Sequence, residues 1–246
     1  SIKNPETNAQ SVEHIDEIVF DHVDFVYPDG EEAVLKDVSF SVKRGETIAF
    51  IGSTGSGKST LINLIPRAYD VSAGRVLMNG KDIRTYDLES LRRAIGFIPQ
   101  KAMLFSGTIA DNLRFGKEDA TMEDLVQAAK TAQAYDFIME KGGFDEQITE
   151  SATNVSGGQR QRLSIARALI RKPDVYVFDD SFSALDFKTD AKLRRMLKKE
   201  TGNAIVMVVA QRISSIMDAD QIIVLNEGSI VGTGTHKELL NNCRIY

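Results

Sequence analysis

The sequence predicts an α/β fold: a mostly parallel sheet covered on both faces, an antiparallel β edge leading into it, and a helical segment inserted within it. Three observations carry this. The stretch Thr47–Thr60, TIAFIGSTGSGKST, runs from a short apolar strand through a glycine-rich turn into a helix. Val175–Phe178 and Ala204–Ala210 are unbroken apolar runs, the pattern of strands buried on both faces, and stretches of helical spacing lie around them. Between Glu17 and Val42 the apolar residues instead recur mostly at every second position, as in strands with one buried face.

In chain order, residues 1–16 are polar and unpatterned and read as a linker from something upstream, with a single domain over 17–246. Ile18, Phe20, Val23, Phe25 and Tyr27 make a first strand, broken once at His22 and stopped by Pro28-Asp29-Gly30. Leu35, Val38, Phe40 and Val42 make a second, with Arg44-Gly45 as its turn. After the glycine-rich loop, Ser59–Pro66 reads as a helix, Arg75–Met78 as a strand closed by Asn79-Gly80, and Gly96–Pro99 as a strand ending at Gln100. From Ala120 to Lys141 the spacing of Met122, Leu125, Val126, Ala129, Phe137 and Ile138 is helical, and the helical subdomain is placed at about 101–172. Asn154–Arg171 is a helix with one apolar stripe, followed by the strand Val175–Phe178, a helix near Lys188–Lys199 and the strand Ala204–Ala210. Two short strands meet at Glu227-Gly228, and a last helix starts near His236.

Bulk properties narrow the function. A formal charge of −5 and a pI near 5.4 argue against a surface built to neutralise a nucleic-acid backbone, so no nucleic-acid partner is expected. The single cysteine, Cys243, permits no intrachain disulfide and suits a reducing compartment. Apolar runs such as Ala204–Ala210 fall far short of the roughly 20 residues that span a bilayer. The chain by itself is therefore expected to be soluble, with any membrane role supplied by a partner or by polypeptide outside this sequence.

The loop fits the pattern G-x-x-x-x-G-K-S/T through Gly52, Gly57, Lys58 and Ser59. Glycines let successive N–H groups turn inward on phosphate oxygens, and the helix start adds its positive dipole end. Lys58 supplies a point charge for the β- and γ-phosphates and Ser59 a hydroxyl for Mg²⁺. A dinucleotide fingerprint fits less well, because Gly55-Ser56-Gly57 lacks its third glycine. Phosphate-loop proteins hold the metal with an acid at the end of a second buried strand, and Val175-Tyr176-Val177-Phe178-Asp179 ends in one.

Val155-Ser156-Gly157-Gly158-Gln159-Arg160-Gln161-Arg162 then resembles the signature of the ABC-type ATPases, a serine-glycine-glycine-glutamine helix start that faces the γ-phosphate held by another subunit. The resemblance covers nearly everything from Ile18 onward and implies the ABC ATPase fold with ATP and Mg²⁺ as ligands. It implies a nucleotide cradle of Gly52, Ser53, Thr54, Gly55, Ser56, Gly57, Lys58, Ser59 and Thr60, with Tyr27 stacking on adenine. Ser59, Gln100 and Asp179 would hold the metal, Ser156, Gly157, Gly158 and Gln159 would meet the partner's nucleotide, and Ser183-Ala184-Leu185-Asp186 would cross between subunits. Leu104-Phe105-Ser106-Gly107-Thr108-Ile109 and Gly234-Thr235-His236-Lys237-Glu238-Leu239-Leu240 look like exporter-type members, multidrug export foremost. Such a domain works beside a transmembrane domain at the cytoplasmic face of the membrane.

Two positions depart from the family pattern. A glutamate that polarises the attacking water is expected after Asp179, and Asp180 stands there, its carboxylate retracted by about 1.5 Å. A histidine is expected after Ala204–Ala210, and Gln211 stands there, able to donate a hydrogen bond but not to become a cation. With Lys58 these two make the candidate catalytic set, and the paired departure resembles the degenerate-site subunit of a bacterial heterodimeric exporter. Its partner would be a non-identical subunit with the glutamate intact. Upstream of the signature, Ile148–Asn154 keeps Glu150 but not the glycines that usually flank it. The alternatives are a regulatory ATP-binding module without useful hydrolysis and a nucleic-acid-linked ABC ATPase.

Overall fold

The computed structural model describes residues 2–5 and 9–246, so part of the segment read as a linker, Ser1 and residues 6–8, lies outside the described residues. The strands are β1 (Glu17–Phe25), β2 (Leu35–Lys43), β3 (Thr47–Ile51), β4 (Ala73–Met78), β5 (Lys81–Asp82), β6 (Ile95–Ile98), β7 (Gly107–Thr108), β8 (Gln147–Ile148), β9 (Val175–Asp179), β10 (Ile205–Val209), β11 (Gln221–Asn226) and β12 (Ser229–Gly234). The helices are α1 (Lys58–Asn63), α2 (Leu88–Arg93), α3 (Ile109–Arg114), α4 (Met122–Thr131), α5 (Tyr135–Lys141), α6 (Gly157–Arg171), α7 (Phe187–Glu200) and α8 (His236–Asn242).

The main sheet has the order β12-β11-β3-β10-β9-β6, parallel throughout except for β12 at its edge. An antiparallel sheet, β2-β1-β4-β5, forms the β edge. The buried apolar runs have a simple cause. Side chains alternate across a strand, so Val175, Val177, Ile205, Met207, Val209, Ile48 and Phe50 enter one core, shared with the antiparallel sheet and with Leu61, Ile62, Leu64 and Ile65 beyond the glycine loop. Tyr176, Phe178, Val206, Val208 and Ala49 enter the other, shared with α3, α4, α5 and α6. A strand with a core on each face has no use for a polar position until its end.

Several elements differ from the sequence expectation for identifiable reasons. The break at His22 is a β-bulge: its φ is 48°, and the pairing of β1 shifts register against both β2 and β4 around it. The helical stretch Ala120–Lys141 is two helices, because Gln133 turns left-handed at φ 61° between α4 and α5. The helix after the loop ends at Asn63, short of Pro66. Within the upstream segment, Ile15 is fully buried and its N–H donates to Asp174 Oδ2 at 2.7 Å.

The glycine-poor segment before α6 carries a conformational cost. Ser151 and Ala152 adopt φ of 66° and 51°, a region that glycine enters freely and L-residues disfavour. In that region the Cβ of an L-residue crowds the following carbonyl oxygen, a clash that glycine escapes at some cost in chain entropy. Ser151→Gly should therefore stabilise the fold by about 0.5–1 kcal/mol, the balance of those two effects, read as a rise of a few degrees in Tm. A lower Tm would show that the left-handed turn is not strained.

Candidate functional site

The C-terminal ends of the parallel strands deliver the candidate residues to one edge of the main sheet, the place where open α/β sheets bind ligands. β3 runs into the glycine loop, β9 ends at Asp179, β10 precedes Gln211 and β6 precedes Gln100. β10 lies between β3 and β9, with Val209 paired to Phe50 on one side and to Asp179 on the other. This register, rather than sequence proximity, sets the acids beside the loop.

In the loop, Gly57 caps α1 at φ 104°, and a Cβ there would meet Leu35 Cδ2 at 2.8 Å, so glycine is required on both counts. Lys58 is buried, and its Nζ donates back to Gly52 O. Burial lowers the Lys58 pKa, while Asp180 and Asp179 pull it the other way. Ser56 is buried and its Oγ has no hydrogen-bond partner among the described residues, an orphaned polar atom inside the cradle. Ser53, Thr54, Gly55 and Ser59 are exposed along the rim and Gly52 is half-buried. Thr60 Oγ1 and Tyr27 Oη share a hydrogen bond of 2.6 Å. Tyr27 lies just past the end of β1, with its ring edge-on to Phe25 and Tyr69. That places it beside the loop and also anchors it in the β edge.

The two aspartates are held in tension. Burial raises the pKa of Asp179, the neighbouring charge of Asp180 raises it further, and Lys58 opposes both. Asp180 is likewise pushed up by burial, against the N–H of Gln211, Lys58 and Arg212. Asp180 sits at φ 48°, and its N–H donates to Val209 O at 2.8 Å. Its Oδ2 accepts from Gln100 Nε2 at 3.2 Å. Gln211 reaches Asp180 through its backbone N–H, while its side chain is exposed. The structure thus brings Lys58, Asp179, Asp180, Gln100 and the Gln211 backbone together. Among the described residues no cluster of three or more His, Cys, Asp or Glu side chains is assembled. An orphaned hydroxyl in the cradle, the half-buried Asp179 and the buried Asp180 beside Lys58 fit a phosphate-bound cation.

Ser156, Gly157, Gly158 and Gln159 form a separate feature. Gln159 N donates to Ser156 Oγ and Ser156 N to Gln159 Oε1, both at 3.1 Å, a reciprocal capping box at the start of α6. Among the described residues this helix start makes no hydrogen bond to the Gly52–Thr60 loop. Instead it lies against the loop after β9, where a Cβ on Gly158 would sit 3.2 Å from Ala184 O. Sequence reasoning did not single out Gln161 or Arg212 as site residues, yet both hold that loop. Gln161 accepts from Ala184 N at 3.2 Å, and Arg212 Nη1 donates to Leu185 O at 3.1 Å. Gln161 falls within the signature stretch, but neither its role nor that of Arg212 can be read locally, because their partners lie far away in the sequence.

Known proteins share this arrangement. A family described as ABC transporter matches residues 35–183. The chain belongs to the ABC transporter family. An uncharacterized ABC transporter ATP-binding protein of Mycobacterium bovis is 51% identical over 225 residues, covering 90% of this chain and 38% of that protein. A Staphylococcus aureus protein provisionally named for multidrug export, as an ATP-binding/permease protein, is 45% identical over 91% of this chain and 39% of its own length. The structure of a bacterial Atm1-family ABC exporter with ATP bound is similar at a TM-score of 0.92 and 34% identity, covering 98% of this chain and 42% of that one. The fold is the ABC ATPase fold, α/β with parallel strands in a mixed sheet. The chain spans about two fifths of the length of these relatives. No described helix is long and apolar enough to cross a membrane.

The crowded acids of this ABC ATP-binding domain set a pH test. A raised folded-state pKa for Asp180 means that its charge destabilises the nucleotide-free fold at neutral pH, and protonation relieves this as pH falls through the raised pKa. Asp180→Asn keeps the shape, tolerates the left-handed backbone and removes the charge. It should raise the nucleotide-free Tm at pH 7. The advantage should shrink as pH falls into the carboxylate range. An equal or lower Tm at pH 7 would contradict the electrostatic account.

Proposed function

We propose that this chain is the ATP-binding and hydrolysing motor domain of an ABC exporter, with a degenerate site on its own loop and an intact signature lent to a non-identical partner. The observation that carries the degenerate reading is the pair Asp180, directly after β9, and Gln211, just past the end of β10. In this reading Lys58 leaves Gly52 O for the β- and γ-phosphates, Ser56 and the backbone of Gly52–Thr60 line the phosphates, and Tyr27 meets the adenine. Ser59, Gln100 and Asp179 would hold Mg²⁺, which supplies neutralisation of the phosphate oxygens when bound.

Asp180 is too short for the work of a glutamate at this position, and what reach it has is engaged by Gln100 Nε2 and the Gln211 N–H. The exposed Gln211 side chain offers an amide where a titratable imidazole would serve. Nucleotide would be held here longer than it is turned over. The Ser156 helix start, complete in its capping box, would act on the nucleotide of the partner, whose own site carries the glutamate. The relatives are more than twice as long as this chain, and one is named an ATP-binding/permease protein. That supports a transmembrane domain as the second partner, multidrug export as the substrate class, and a place at the cytoplasmic face of the membrane.

Two measurements test this. Lys58→Ala should abolish ATP binding at micromolar nucleotide, and retained binding would count against the nucleotide site itself. In a dimer whose partner site has been silenced, Asp180→Glu with Gln211→His should raise turnover by about 100-fold or more, the scale of a restored general base. ATP affinity should stay similar. Unchanged turnover would mean that these two residues are not what limits the site.

A further inference from the structure

Between the candidate nucleotide site and the signature helix lies one buried amide with both ends committed. Gln161, on α6 two residues past Gln159, is 5% exposed. Its Nε2 donates to Gln100 O at 3.0 Å, and its Oε1 accepts from Ala184 N at 3.2 Å. Gln100 in turn donates through its own side chain to Asp180 Oδ2 at 3.2 Å. The far side of the loop is held by Arg212, which follows Gln211 and donates to Phe182 O and to Leu185 O. The loop at 182–185 is therefore gripped from α6 by one side chain and from the segment after β10 by another.

We propose that Gln161 is a positioning residue that transmits the state of the nucleotide on this chain to the 182–186 loop and the start of α6, the two surfaces offered to a partner. This rests on the proposed nucleotide site. The physical case is the geometry of the amide. It has one donor end and one acceptor end here, fixed by opposite partners, so displacement of Gln100 by nucleotide drags the donor end and with it the Ala184 contact. Because Gln161 belongs to α6 itself, the same pull acts on the helix whose first turn is Gly157–Gln159. A residue that only filled the core with satisfied polar atoms would hold these contacts equally with and without nucleotide.

Hydrogen exchange on this chain, without and with saturating Mg-ATP, tests this in two variants. Gln161→Met keeps the volume and loses both hydrogen bonds. Gln161→Glu keeps an acceptor for Ala184 N and replaces the donor to Gln100 O with a carboxylate oxygen that repels it, so it breaks the same link by a different route, and the Tm of each variant shows first that it folds. Without nucleotide, Ala184 N–H should exchange about tenfold faster or more in Gln161→Met than in the parent, and near the parent rate in Gln161→Glu. With Mg-ATP, the parent should gain protection both at 52–60 and at 182–186. Both variants should keep the gain at 52–60 and lose it at 182–186. Equal nucleotide-dependent protection of 182–186 in parent and variants would overturn the proposal, as would protection at 52–60 in the parent with none at 182–186. Absence of protection at 52–60 in the parent would overturn the nucleotide site and this coupling together.

Discussion

The pairing of β10 between β3 and β9 is the constraint on which the rest depends. Parallel hydrogen bonding fixes Val209 against both Phe50 and Asp179, so the end of each strand is set relative to the others within one residue. Two separate cores press on this sheet, one from the antiparallel edge and α1, the other from α3 to α6. A slip of one residue in β10 would exchange Val208 and Val209 between those cores and would move Gln211 away from Asp180 in the same step. The packing that stabilises the sheet and the geometry of the site are therefore one requirement.

That framework brings charges together without balancing them. Lys58 turns back to a carbonyl of its own loop, two adjacent carboxylates are pushed towards protonation by burial, and a buried hydroxyl goes unpartnered. Each of these groups is a donor, an acceptor or a charge whose complement is a phosphate or a divalent cation. The fold carries the cost of this preorganisation in its ligand-free state, which is the arrangement expected where binding energy drives a conformational step.

What could be read from the sequence was what local pattern encodes. The glycine loop, the acid at the end of Val175–Phe178 and the serine-glycine-glycine helix start each place their residues through contiguous backbone geometry, and the structure puts them on a strand end or a helix start as the pattern implies. The short helices α2 and α3 escaped because six residues are too few for a helical period to show. Their caps were nonetheless visible in principle: Asp87 accepts from Ser90 N, and Thr108 with Asp111 forms a capping box. The break between α4 and α5 falls at Gln133 with neither glycine nor proline to announce it. Gln161 and Arg212 were illegible for a different reason, since a side chain that spans from α6 to Gln100 has its meaning only in three dimensions.

The two halves of the proposed function are physically separable, so one could be impaired without the other. The Ser156 capping box is satisfied within α6 and its glycines rest on Ala184, so the helix start keeps its exposed N–H groups whatever side chain stands at 180 or 211. An aspartate at 180 and a glutamine at 211 are compatible with the strand pairing, because Asp180 holds its place through its backbone N–H to Val209 O and the Gln211 side chain is exposed. In the proposed site, binding too would rest on the glycine loop and Lys58 rather than on these positions. On the proposed reading, turnover on this chain's own loop is thus the one property that Asp180 and Gln211 would remove without disturbing the sheet or the cradle. A domain in that state would, on the same reading, still have something for a second subunit to use, and the Gln161 amide is the proposed route by which its own site would influence the other.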